Sequence, residues 1–361
     1  MAGGGAERQL TYLVRELVQM GWDVHVAVIQ GGPNLTRLEA TGAAIHRLRA
    51  AGNYDPRIFS QLLGTIRRVK PDIVQCWLLQ MEVAGGLASL LTGTPWVFCE
   101  RASEEAYPEN FKMWLRVRVG RSATAIVSNS QTGDRYWAVR TDERVRRCVI
   151  PNSLPFAEIA AAQPATLAEF GVKTGEPTLL IAGRMEPQKN FETLIQALRL
   201  VVTNRPVQAI LCGDGSLRGL IERLVKENGL ASCVHIAGYV SNLWSLMKRA
   251  DAAVSVSWFE GSPNVVLEAM ACGCPLVVSD IATHRELLDE DAAIIVDPAD
   301  PQRIADGIIQ ALSDPEGSEK RARTAQERVQ RYSLSIVANE YADLYRELAL
   351  HTGRHLKQAA L

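Results

Sequence analysis

No stretch of this 361-residue sequence approaches 18 consecutive apolar residues, so no membrane-spanning helix is expected. The first residues, MAGGGAERQL, contain no apolar core of the kind a secretory signal needs, and no signal peptide is expected. CxxC pairs are missing too, and the seven cysteines, an odd number, read as reduced thiols of a cytoplasmic protein. Cys272 and Cys274 have no neighbouring His or Cys to complete a metal set, and they read as packing at a helix end. A formal net charge of −1 gives no general pull toward nucleic acid. No GxGxxG follows a strand with an acidic residue about 20 positions later, which argues against a nicotinamide dehydrogenase.

What is present is alternation. Short β-branched runs at Asp23–Ile29, Ile73–Cys76, Trp96–Cys99, Thr124–Val127 and Arg147–Ile150 are separated by helical patterns such as Ala6–Met20, stopped by Gly21. The second half repeats the scheme with strands at Thr178–Ala182, Gln208–Cys212, Cys233–Ala237, Ala252–Ser257, Pro275–Val278 and Ala293–Val296. Helices are expected near Phe191–Thr203, Leu217–Asn228, Asn242–Arg249, Pro263–Cys272 and Pro301–Leu312. Such β–α alternation implies an α/β fold with parallel sheets covered on both faces. Strand patterning lapses between Pro155 and Pro177, which places a boundary between two Rossmann-like, doubly wound domains. Two such domains are expected to face a cleft, with ligands beyond the carboxyl ends of the strands.

The densest motif is SWFEGSPNVVLEAMACGCPLVVSD, Ser257–Asp280. A strand ends at Ser257, a loop presents Glu260, and Ser262 and Pro263 suit the N-cap and first position of a helix stopped by Gly273. Bare amides and the positive dipole end there suit a phosphate or sugar hydroxyls. Glu268 shares a helix face with Asn264, so a second carboxylate lies one turn inside. A second motif, LLIAGRMEPQKN, gives a strand, then Gly183 and Arg184, then Lys189 before a helix capped by Asn190. Two cations beside a helix N-terminus can neutralise a leaving diphosphate, the role a metal ion takes elsewhere.

Taken in order, AGRMEPQKN, CGDGSLRGLIERL, HIAGYVSNL and EGSPNVVLEAMACGCPLVVSD resemble glycosyltransferase family 4, retaining enzymes with the GT-B fold. GGGAERQL, QCWLLQMEVAGGLAS and VIPNSLPF extend the likeness more loosely into the first half. The resemblance implies domains at 1–160 and 161–334, with 335–361 forming a last helix that packs back on the first. It implies that Arg184 and Lys189 hold the donor diphosphate, and that Glu260 with the backbone of Gly261, Ser262, Pro263, Asn264 and Val265 holds the sugar. Glu268 would take the ribose hydroxyls, Tyr239 and Val240 would border the base, and Gly4 and Gly5 would approach the donor from the other domain. Gln80 and Arg101 fall on the acceptor side.

The implied reaction is retaining transfer of a hexosyl group from a nucleoside-diphosphate sugar to a glycan or lipid-linked acceptor of the cell envelope. No metal or organic cofactor is expected, the nucleotide sugar being a co-substrate. A nucleotide-sugar epimerase and a donor-binding remnant without transfer activity are the alternatives. Two departures stand out. Family 4 chains start with a strand ahead of the glycine loop, whereas only Met1 and Ala2 precede Gly3 here. An N-terminally truncated first domain lacking that strand would expose edges on both neighbours, or fill the gap differently. Gln80 stands where relatives carry a histidine, and an amide cannot titrate near neutral pH.

Two other patterns carry charge. Asp289-Glu290-Asp291 matches a DxD metal signature but lies in a polar turn, and reads as solvated surface. Between residues 110 and 150, nine cations oppose three carboxylates, and Phe111, Trp114, Leu115 and Val119 interleave with them. That segment is either a core-facing helix with a solvated basic face or a peripheral contact with an anionic membrane at its inner face.

Overall fold

The computed structural model describes residues 4–53, 55–173 and 175–351. The chain divides into two compact units, one of residues up to Ser153 together with those from Tyr332 onward, the other Leu154–Arg331.

The first unit opens with α1 (Gly5–Gln19), β1 (His25–Val28), α2 (Pro33–Glu39), β2 (Ala44–Arg47) and α3 (Arg57–Val69). It continues with β3 (Val74–Trp77), α4 (Leu79–Thr92), β4 (Trp96–Glu100), α5 (Phe111–Gly120), β5 (Ala125–Ser128), α6 (Gln131–Ala138) and β6 (Arg146–Val149). All pairings are parallel, but the strands form two sheets: β1 with β2, and β3-β4-β5-β6. Among the described residues no backbone ladder joins β1 to β3. A cavity of about 240 Å³ lies there, walled by Val28 and Ile29 on one side and Trp77 on the other, with Ala6, Glu7 and Leu10 of α1 alongside. Side chains bridge the break. Leu10 packs both on the Val26–Leu38 cluster and on the cluster around Val97 and Val127.

The second unit contains α7 (Phe156–Ala161), β7 (Thr178–Ala182), α8 (Phe191–Asn204), β8 (Gln208–Cys212), α9 (Arg218–Glu227), β9 (Val234–Gly238) and α10 (Leu243–Met247). Then follow β10 (Ala252–Ser255), α11 (Asn264–Cys272), β11 (Leu276–Ser279), α12 (Ala282–Arg285), β12 (Ile294–Val296), α13 (Pro301–Ser313) and α14 (Pro315–Arg328). Six parallel strands run in the order β12-β11-β10-β7-β8-β9. The order reverses between β7 and β10, and in a doubly wound sheet that reversal opens a crevice at the strands' carboxyl ends. Its strands are buried on both faces, with Leu179, Leu211, Val254 and Val277 packed beneath α8 and α13.

Residues 155–177 are not a free linker. Lys248 Nζ donates to the carbonyls of Ala160 (2.9 Å) and Ala162 (2.8 Å), and Ala165 N donates to Ser245 O (2.9 Å), which fastens the segment to the second unit. The unit boundary accordingly falls at Ser153–Leu154. The last helix, α15 (Leu334–His351), belongs to the first unit, where Val337, Tyr341, Leu344 and Leu348 pack with Leu13 and Leu17 of α1.

Candidate functional site

The site grows from the two strands that flank the reversal. After β7 the chain passes Gly183 and the exposed Arg184. Gly183 lies against Gly213, whose φ is +136° and where a Cβ would meet Gly183 O at 1.9 Å. The GDGS turn is therefore shaped by close backbone approach that only glycine permits. A single 3₁₀ turn, Pro187–Lys189, then aims Lys189 back at the sheet. Asn190 does not cap α8 with its side chain, contrary to the sequence reading. It adopts a left-handed backbone (φ 57°), and its Nδ2 donates to Val256 O (3.1 Å) and Pro298 O (2.7 Å). The side chain is spent holding the Lys189 turn onto the loop after β10.

That loop supplies the partner. Glu260 is 7% exposed, and Lys189 Nζ donates to its Oε1 at 2.5 Å. Ser257 Oγ donates to the same oxygen at 2.7 Å, and Trp258 N donates to Gln188 O at 2.9 Å. Burial alone would raise the Glu260 carboxyl, but the Lys189 charge and the hydrogen bonds from Lys189 and Ser257 outweigh it and hold the group below its ordinary value. The carboxylate is charged, oriented and mostly out of water.

His284 was not singled out by its sequence context, since a lone histidine in a short helix carries no pattern. It is fully buried in α12. Its Nδ1 donates to Ser279 O (2.9 Å), while Ser279 Oγ donates to Ser257 O (2.7 Å). The chain His284–Ser279–Ser257 thus braces Glu260 from behind. Burial lowers the His284 pKa and keeps the ring neutral, and Nε2 has no hydrogen-bond partner.

Beyond Glu260 the loop enters α11. The helix starts one residue later than expected, at Asn264, and Pro263 occupies the N-cap with no side-chain cap bond, so Ser262 is not the cap. No side chain caps this start, where Asn264 N donates to Ser262 O at 3.0 Å, and the positive end of the dipole there favours an anion. Gly261, Ser262, Asn264 and Val265 are half-buried there, and Pro263 is buried. Glu268, 4% exposed and one turn inside, accepts from Trp244 Nε1 at 3.1 Å. Gly273 ends the helix in the left-handed conformation, as its sequence position predicts. Tyr239, exposed, and Val240 follow Gly238 (φ 67°) at the end of β9.

The structure thus brings Lys189 and Glu260 into direct contact and sets Arg184, the α11 start and Tyr239–Val240 at the carboxyl end of the same sheet. The remaining candidates belong to the first unit. Gly4 and Gly5 begin α1, and Gln80 shares the 240 Å³ cavity with Ala6 and Glu7 of that helix. Arg101 is engaged within its unit: its guanidinium stacks 3.7 Å from the Trp77 ring centroid and donates to Asn152 Oδ1 (3.0 Å) and Tyr341 OH (2.7 Å). In the Asp289–Asp291 triplet, Asp289 pairs with Arg328 (2.9 Å) and Glu290 with Arg285 (2.7 Å). Burial pushes the Cys272 thiol up to about 12, so it stays protonated.

Comparison with known proteins adds the decisive observation. A family model described as glycosyl transferases group 1 matches residues 163–328, and one described as glycosyl transferase 4-like domain matches residues 4–153. The chain belongs to the family 4-like glycosyltransferases of the GT-B type. The group 1 match takes in Arg184, Lys189, Glu260 and Glu268, and the 4-like match takes in Gly4, Gly5, Gln80 and Arg101. An uncharacterized glycosyltransferase of Methanocaldococcus jannaschii is 33% identical over 181 residues, 49% of this chain and 46% of that protein. The alpha-D-kanosaminyltransferase of Streptomyces kanamyceticus is 31% identical over 214 residues, 58% of this chain and 55% of that protein. The chain therefore matches about half the length of these curated relatives. Among solved structures, Anabaena HepE in complex with UDP and glucose has a TM-score of 0.85 at 21% identity, covering 95% of this chain and 96% of that one, a likeness of fold.

Proposed function

We propose that this glycosyltransferase moves a hexosyl group from a nucleoside-diphosphate sugar to a hydroxyl of a glycan or lipid-linked glycan of the cell envelope, with retention at the anomeric carbon. The observation that carries the reading is the Lys189–Glu260 pair at the strand-order reversal, beside the open start of α11. A cation and the positive end of a helix dipole suit the diphosphate, and a fixed carboxylate suits sugar hydroxyls. The HepE structure, alike in fold, holds UDP and glucose, which fits this division of labour.

In the proposed step the bond between the anomeric carbon and the diphosphate oxygen breaks, while the acceptor oxygen bonds to the same face of that carbon. The acceptor proton passes to the departing phosphate oxygen. Lys189, Arg184 and the α11 dipole stabilise the negative charge left on the diphosphate, each donor contributing on the order of 3 kcal/mol. Their positive charge stands in for a metal ion, and no cofactor is invoked. Bound diphosphate competes with Glu260 for Lys189, which frees carboxylate oxygens to accept from the sugar. Glu268 accepts from the ribose hydroxyls, and Tyr239 and Val240 border the base. Seven unpaired cysteines fit a reducing, cytoplasmic setting.

Thermal shifts with UDP, GDP and ADP should single out one nucleotide. Hexose transfer from the matching nucleotide sugar, followed by NMR of the product, should show the donor's anomeric configuration kept. Conversion of the nucleotide sugar without an acceptor would favour an epimerase instead, and binding without any turnover a donor-binding remnant.

A further inference from the structure

Helices α4 and α5 pack closely: at Gly86 of α4 a Cβ would come within 2.7 Å of Val119 Cγ1 of α5. Arg116 fixes which side of α5 faces inward. It is 2% exposed, and its Nε donates to Glu82 Oε2 of α4 (2.6 Å) while Nη2 donates to Glu100 Oε2 of β4 (2.9 Å). Its guanidinium also lies 4.4 Å from the Tyr107 ring centroid and 4.6 Å from that of Phe98. Both carboxylates are buried, so turning the helix would strand charge in the interior.

With Arg116, Val119 and Gly120 held inside, helical geometry turns Phe111, Trp114 and Arg118 outward. Phe111 is 72% exposed and Trp114 59%, their rings stacked with centroids 5.5 Å apart. Leu87, Leu90 and Leu91 form a second outward stripe on α4, and all three are exposed. Five large apolar side chains on two packed helices leave more apolar surface in water than scattered exposure accounts for. The charge there has one sign. Lys112, Arg118 and Arg121 are exposed, and the only carboxylate on either helix is the buried Glu82. Glu105 and Glu109 are exposed in the loop that leads into α5. Much of the basic excess in 110–150 is spent elsewhere, since Arg140, Arg146 and Arg147 pair with Glu104, Glu347 and Asp134.

We propose that the α4–α5 face docks on an anionic lipid surface, with Phe111 and Trp114 entering the headgroup boundary and Lys112, Arg118 and Arg121 meeting lipid phosphates. Aromatic residues favour that boundary, and flanking cations add attraction to anionic headgroups. A second copy of the chain is a poorer occupant, because two-fold pairing would oppose the same cations. The docking goes beyond the transfer chemistry and does not depend on it.

The test is flotation of the full chain with vesicles of phosphatidylglycerol and phosphatidylcholine against vesicles of phosphatidylcholine alone. The protein should float with the anionic vesicles, and Trp114 emission should shift to the blue relative to the Trp114→Phe background. The double variant Phe111→Ser/Trp114→Ser should lose at least about tenfold in partitioning, and Arg118→Glu/Arg121→Glu should abolish preference for the anionic lipid. Both variants alter exposed side chains only, so thermal melts and nucleotide binding should match the parent. Failure to float with either vesicle, or flotation unchanged by both variants, would overturn the proposal. So would concentration-dependent dimerisation that Phe111→Ser/Trp114→Ser removes, which would assign the face to a second copy.

Discussion

Lys189 and Glu260, 71 residues apart in the chain, meet at 2.5 Å just beyond the carboxyl ends of β7 and β10. With Glu260 almost fully buried, neither charge is dispensable, and the pair couples the turn after one central strand to the loop after the other.

Lys189→Ala is expected to lower kcat about a hundredfold with a smaller change in KM, because its charge matters most as the diphosphate leaves. Glu260→Gln should raise KM for the sugar nucleotide. The double variant should lose less than the two single effects summed. Steady-state kinetics of the four proteins measure the coupling, and full additivity would separate the two residues functionally.

Glu260 also predicts a pH dependence of stability. Its folded pKa lies below the ordinary value of 4.5, so on acidification the unfolded chain takes up the proton first. The stabilisation is therefore complete above about pH 4.5 and fades as pH falls through the folded value. The melting-temperature gap between the parent and Glu260→Gln should stay flat from neutral pH down to that point and shrink below it. A gap that widens in acid would contradict the assignment.

Glu268→Ala should weaken nucleotide binding by about tenfold while leaving kcat at saturating donor within a few-fold. It also leaves the Trp244 indole N–H without its acceptor. Titration calorimetry with the free nucleoside diphosphate isolates the binding effect from turnover.

A paired glycine test examines the base of the site. Gly213→Ala would push a methyl into Gly183 O at a φ of +136°, and should destabilise by on the order of 3 kcal/mol. Gly219→Ala, in α9 with open space around it, should stabilise by about 0.5 kcal/mol. Chemical denaturation of both variants gives the comparison directly.

The parts of this molecule that were legible in the sequence are those buried on both faces. β7 and β8 are unbroken apolar runs between turn residues, and their limits match the reading from sequence to the residue. β2 was missed because Ala44–Arg47 lies half in water and holds no apolar run. The polar α14 was missed because only the small side chains of Ser318, Ala322 and Ala325 are buried. Within the site, Arg184, Lys189, Glu260 and Glu268 were each visible through their motifs. What stayed hidden was their tertiary bracing: Asn190 turned away from its helix, His284 stood behind Glu260, and Trp244 reached Glu268 from α10. These are contacts across 20 residues or more, or at a single buried position, where local pattern says nothing.

The break between β1 and β3 has a dynamic consequence. The β1-α2-β2 module, Asp23–Arg47, is joined to its surroundings by side-chain packing and by its neighbouring helices, with no interstrand bonds to the larger sheet among the described residues. It forms its own cooperative opening unit, whose amides should trade protons with solvent well before those of β4 and β5, so that partial unfolding begins beside the α1 glycines rather than at the donor pair.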